Sequence, residues 1–214
     1  MYPHSSLWLT TNSPNTLIHT HLIGSTDPLA IDCRLVSERL RKGAVVADGL
    51  DYVALSSVFD FLGQCAMGEE KLREYTSDAA QVNTDNLPVA EFPRKINRKT
   101  HEREECPALI LADIVRYKEN GLAFSVNIPD SERTEMERKL ADYCKGDSLR
   151  IEGHIRYMRA FSIMKAKASK DYMREAYRHY SDAYRYYVEA QRYLPDDRFL
   201  KEFFIEAAGV LSPY

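Results

Sequence analysis

Two short runs near the N-terminus, "SSLWLTT" (5–11) and "TLIHTHLIG" (16–24), alternate with a rough period of two and are rich in Thr, Ile, Leu and Trp. That is the pattern of half-buried strands. Between them "NSPN" (12–15) is turn chemistry: Pro14 fixes φ, and Asn12 and Asn15 accept tight backbone angles. The spacing predicts an antiparallel hairpin. Two strands alone are only marginally stable in water, so this hairpin has to lie against a sheet or helices. Whatever the rest of the chain does, it must supply that cover.

The next stretch, about 33–82, reads as helical. "CRLVSERLRK" carries Leu35, Val36, Arg39 and Leu40 at helical spacing, with Gly43 as a stop. "YVALSSVFDFLGQ" sets Val53, Leu55, Val58, Phe59 and Leu62 on a broad apolar face. "GEEKLREYTS" predicts a short helix with acids in its first turn, where the dipole favours them. An extended segment, "NTDNLPVAEF" (83–92), follows; Pro88 keeps it from being helical. The run "PRKINRKTHEREE" (93–105) is charged, with almost no apolar residue after Ile96. It reads as a solvated connector and marks a boundary at 96–105.

From 106 to 214 the chain is mostly helical and rich in tyrosine. "PALILADIVRYKENG" predicts one helix ended by Asn120 and Gly121. "SERTEMERKLADYCKG" predicts another, N-capped by Ser131 and stopped at Gly146. A third runs from about Ser148 to Ala168 and a fourth from about Lys170 to Leu194. Pro195 closes the fourth, and Asp196 or Asp197 caps a last one. Ala183, Tyr187, Ala190 and Pro195 resemble the second helix of a tetratricopeptide repeat, where small residues let two helices approach and proline ends the unit. The first-helix offsets of that repeat are absent. Tyr172, Tyr177, Tyr180, Tyr184, Tyr186, Tyr187 and Tyr193 are expected to pack in the core for the most part, with some left on the exposed side.

Composition narrows the function classes. With 44% hydrophobic and 29% charged residues, 214 residues can bury one large core or two small ones. A net charge of −3 argues against an electrostatic grip on nucleic acid or acidic lipid. No apolar run approaches the ~20 residues of a membrane helix. "MYPHSSLWLT" lacks the basic start and apolar core of a secretory signal. Cys33, Cys65, Cys106 and Cys144 lie 32, 41 and 38 residues apart, with no CxxC pair and no histidine cluster beside them. They read as reduced, partly buried thiols of a cytoplasmic protein, with no metal expected. His19 and His21 alternate onto one face of the second strand, a half-exposed strand face.

"YPHSSLWL" (2–9), "LIGSTDPLAID" (22–32) and "LREYTSDAAQVNTDNLPVAEFPRK" (72–95), in that order, resemble the spermidine synthase-like proteins. The resemblance covers roughly residues 2–95 and is nearest to the long bacterial members, in which this domain follows membrane helices. It implies a Rossmann-like, methyltransferase-type sheet ending in an antiparallel hairpin, and it leaves room for a membrane-embedded partner. Asn83, Thr84, Asp85, Pro88 and Glu91 match the family's terminal motif, while Asn86 departs from its commoner second Asp. Physically, Asp85 is expected to accept backbone N–H groups that hold the loop and Glu91 to pair with Arg94 or another base, a structural role. The sharper reading has Asp85 and Glu91 in an acidic, polyamine-binding wall, since cationic amines need carboxylates.

A nucleoside-binding domain of that type needs a glycine-rich turn and a ribose-binding acid. The glycines Gly24, Gly43, Gly49, Gly63 and Gly68 form no G-x-G cluster, and the family's catalytic acid pair has no counterpart. No cofactor is therefore expected. The fold expected is α+β and mostly helical: a remnant of a spermidine synthase-like domain (1–95), a charged linker (96–105) and a tetratricopeptide-like helical domain (106–214). The function expected is a non-catalytic module that pairs with a protein partner or with itself. The alternative is a chain that completes an aminopropyltransferase-type site together with a separate cofactor-binding half.

Overall fold

A computed structural model describes residues 3–10, 19–44, 57–77, 111–165, 170–197 and 200–205. The protein is α+β and mostly helical, with a small antiparallel sheet. The hairpin forms where alternation places it: β1 (His4–Thr10) pairs with β2 (His19–Ser25) in antiparallel register, from His4 opposite Ser25 to Thr10 opposite His19. Ile31–Asp32 (β3) leads into α1 (Cys33–Arg39), whose first turn is capped by the Asp32 carboxylate accepting from the Leu35 N–H at 2.9 Å. A π-helical turn, Leu40–Ala44, extends α1 to the region of Gly43.

The helix read over "YVALSSVFDFLGQ" is shorter among the described residues: α2 spans Val58–Gly63, and 51–56 lie outside them. Ser57 and Asp60 make a capping box at its start, each side chain accepting from the other's backbone N–H. Then comes a strand the sequence did not announce, β4 (Cys65–Met67), fully buried and antiparallel to β1. The sheet order is β2-β1-β4. After α3 (Glu69–Thr76) and a helix α4, described over 111–116, the chain passes through 118–120 and a 3₁₀ turn into β5 (Ser125–Val126), parallel to β3. The helix expected to reach Asn120 ends at 116. Asn120 instead caps the 3₁₀ turn, accepting from the Leu122 N–H. Asn127 takes φ of 58°, which Asn tolerates better than most residues, and its amide donates to Asp32.

The largest departure from the sequence reading is in the helices. The two expected over 131–146 and 148–168 are a single helix, α5 (Asp130–Lys165), about 54 Å long at 1.5 Å per residue. It starts at Asp130, so Ser131 lies inside it rather than at its cap. Gly146 does not stop it either. A Cβ at Gly146 would lie 2.6 Å from Leu194 Cγ, and one at Gly153 would lie 2.4 Å from Tyr187 Cε1. Gly153 lets α6 (Lys170–Ala190) come close and Gly146 does the same for the turn that follows α6; neither ends a helix.

The pairing of α5 with α6 is a small-against-large seam. Gly146, Gly153 and Ala160 recur every seven residues on α5, as do Ala176, Ala183 and Ala190 on α6. The larger partners fall on the same repeat: Leu194 sits over Gly146 and Tyr187 over Gly153, while the rings of Tyr157 and Tyr180 meet edge to face at 5.5 Å. Such a heptad of small residues brings two helices into closer contact than leucine seams allow. Phe203, in the helical segment 200–205, stacks on Tyr187 and lies near His154, closing one side of the seam.

The opposite face of α5 covers the sheet. Leu140 joins Trp8, Ile31, Val58, Leu62 and Ile128 in one buried cluster. Ile151 and Ile155 join Leu9, Met67, Leu111 and Ile114 in another. The hairpin thus gets the cover its marginal stability demands, and both clusters draw residues from either side of the 96–105 segment. A buried charge cluster ties these parts together. Lys118 Nζ lies 2.9 Å from Asp147 and donates to the backbone carbonyls of Gly63 and Cys65. Arg150 binds Asp147 and also reaches Asp197, whose carboxylate caps the 200–205 helix at Leu200. Burial alone raises the pKa of the Asp147 carboxyl, but Lys118 and Arg150 more than offset it and hold it below the usual range.

Candidate functional site

The register of the hairpin decides which side chains share a face. With His4 opposite Ser25 and Ser6 opposite Ile23, those four residues and Trp8 fall on one side of the sheet. Trp8 is buried against Phe61 and Phe124, and its indole N–H donates to Ser6 Oγ at 2.8 Å. Beyond this anchor a cleft of about 200 Å³ opens. Its polar rim is His4, Ser5, Ser25 and Glu69, over an apolar floor that includes Leu29 and Phe124. Two of the three segments that carry the family resemblance, 2–9 and 22–32, are therefore brought together around one opening.

Glu69 reaches the cleft from the first turn of α3, where an acid suits the helix dipole. Its Oε2 lies 2.8 Å from His4 Nδ1, and its Oε1 lies 2.6 Å from Arg73, one turn further along. The hydrogen bond with His4, helped by Arg73, holds the Glu69 carboxyl below the usual carboxylate range. When the imidazole is neutral and donates Nδ1–H to Glu69, its Nε2 is an acceptor for a hydroxyl or ammonium group; when it is protonated, Nε2–H is a donor. The arrangement can orient a small polar head above an apolar tail. Among the described residues no three His, Cys, Asp or Glu side chains gather to hold a metal ion.

The sheet's two edges differ. On the β4 side, the N–H of Glu119 donates to Ala66 O at 2.9 Å, and the Glu119 carboxylate accepts from the Gly68 N–H at 2.7 Å. That edge is capped. On the β2 side, β1 is the one strand paired with it among the described residues, and residues 20–24 are all exposed. Leu22 is 68% exposed.

Asn83, Thr84, Asp85, Pro88 and Glu91 lie outside the described residues, as do the turn at 12–15, the charged run and Cys106. Ala183, Tyr187 and Ala190 are fully buried in the α5–α6 seam, whereas Pro195 is exposed in the turn after α6. Of the seven tyrosines, Tyr180 and Tyr187 are buried, Tyr184, Tyr186 and Tyr193 half-buried, and Tyr172 and Tyr177 exposed. His21 is exposed and bonds to Thr10 across the hairpin. Cys33 and Cys65 are buried free thiols and Cys144 is half-buried; burial pushes the Cys65 thiol up to about 12, so it is unreactive. His4 and Glu69 were not singled out from the sequence, although His4 sits inside "PHSSLW". No helix among the described residues is long and apolar enough to cross a membrane. Comparison with protein-family models, with curated proteins and with solved structures finds no match.

Proposed function

We propose that this chain is an interaction module of a spermidine synthase-like protein, non-catalytic on its own, that docks a partner strand on the outer edge of β2. The observation that carries the reading is the asymmetry of the sheet: one edge capped by Glu119, the other a seven-residue strand with β1 as its one paired strand among the described residues. Open edges are templates for pairing. The α5–α6 pair supports a tetratricopeptide-like tail, since Ala183 and Ala190 serve the close approach that such a repeat needs, though α5 is longer than a usual repeat arm. Free buried thiols fit a cytoplasmic setting, and a membrane-embedded partner fits the long members of the family.

Amide hydrogen exchange tests the reading. In dilute full-length chain, the β2 amides that face away from β1 should exchange at nearly unprotected rates, while the Glu119 amide is protected. Protection of the outward β2 amides in a monomer would overturn it.

A second reading has one observation in its favour. The cleft presents an ionised Glu69 beside His4, the kind of acidic rim a polyamine requires, on the segments that resemble an aminopropyltransferase. In that reading the chain completes an active site in company with a cofactor-binding half, with Asp85 and Glu91 as further carboxylates.

A further inference from the structure

We infer that β2 is a dimer seam: two copies of this chain pair their β2 strands antiparallel about a two-fold axis through Leu22. This rests on the open-edge reading above and names a second copy as the occupant. Leu22 is the middle residue of the seven in His19–Ser25. A two-fold axis there overlaps the whole strand, setting His19 opposite Ser25, Thr20 opposite Gly24, His21 opposite Ile23, and Leu22 opposite its own copy. A self-complementary patch of this kind is what an isologous interface needs.

Three features favour a copy over a foreign strand. First, natural edges are protected by lysine, proline or other charges, and residues 19–25 contain no Lys, Arg, Asp, Glu or Pro. Self-pairing therefore brings no like charges together, and a partner selected by charge would find nothing in the strand to read. Second, Leu22 stands directly across from Leu7, which packs against the cluster of Leu9, Met67, Ile151 and Ile155. Leu22 ends that apolar row in solvent, and a second Leu22 would continue it. Third, the β4 edge is capped by Glu119, so pairing stops at two copies and yields a closed six-stranded sheet rather than a fibre.

Sedimentation velocity of the full chain should show a reversible monomer–dimer equilibrium. Leu22→Asp should weaken it by about tenfold or more, because like charges directly opposite one another oppose strand pairing. At concentrations where both are monomeric, the same variant should melt as the wild type does, Leu22 being exposed in the monomer. Register is tested by cysteine pairing. Facing Cα atoms in an antiparallel pair are about 4.5–5.5 Å apart, within disulfide reach. Leu22→Cys should therefore give a covalent dimer under mild oxidation. Thr20→Cys should not, since its copy sits four residues along, about 14 Å away. Equal cross-linking of both variants would overturn the two-fold axis. A strictly monomeric chain with rapidly exchanging outward β2 amides would overturn the dimer and leave the open-edge reading standing. A monomer with those amides protected would remove both.

Discussion

Gly153→Ala should destabilise this protein, against the rule for glycine in a helix. In an exposed helix interior the change gains about 1 kcal/mol. Here the new methyl would lie 2.4 Å from Tyr187 Cε1 and 2.6 Å from its Cδ1, where carbon atoms settle at about 3.5–4.0 Å. The seam must open by about 1 Å, or the Tyr187 ring must turn. The ring is fully buried and stacked on Phe203 with centroids 5.4 Å apart, so turning it disturbs a second contact. Overpacking of this kind costs about 1–3 kcal/mol. Taking the upper half of that range and subtracting the helix gain leaves a net loss of about 1–2 kcal/mol, or roughly 5 °C in Tm for a chain of this size. Urea unfolding followed by circular dichroism measures it. Pairing Gly153→Ala with Tyr187→Leu should shrink the cost to nothing or reverse its sign, which isolates the clash from any general effect on α5. If Gly153→Ala alone stabilised the protein, the close-approach account of α5 and α6 would be wrong.

Lys118→Met should cost about 3–5 kcal/mol in the same assay, because it leaves the buried Asp147 with Arg150 alone and orphans the Gly63 and Cys65 carbonyls; a loss below about 1 kcal/mol would mean that the cluster is wetter than its burial implies. His154 governs the acid limb of stability. Burial, with the charge of Arg150 beside it, lowers its pKa from 6.5 to about 4, so the folded protein holds it neutral. The unfolded chain takes the proton first. Stability present above pH 6.5 is therefore lost progressively as pH falls to about 4, by about 3 kcal/mol in all. His154→Gln should flatten that window, leaving the losses at lower pH, where Glu69, Glu135 and Asp147 gain protons; an unchanged slope would show that another group titrates there.

What could be read from the sequence was what repeats locally. The hairpin was legible because alternation needs only neighbouring residues, and α3 was legible from its acids and spacing. β4 was not, since Cys65, Ala66 and Met67 are all buried and three residues give no alternation. Gly146 carried a signal with two meanings, helix stop and close approach, and only Leu194, 48 positions away, decides between them. Lys118, Asp147 and Arg150 look like solvated charges in sequence, and their burial depends on three separate segments meeting. The cleft is similar: "PHSSLW" and "LIGSTDPL" stood out as segments, but nothing local says that His4 meets Glu69, 65 residues on. The small-residue heptads on α5 and α6 were in plain view, and indexing them against each other would have joined the two predicted helices into one.

Calorimetric titration of the full-length chain with spermidine, putrescine and S-adenosylmethionine tests the central claim most directly. A non-catalytic module that works through its β2 edge should give no heat beyond dilution with any of the three. Saturable binding of spermidine that is lost in Glu69→Gln or Asp85→Asn would contradict it and make the cleft a polyamine site.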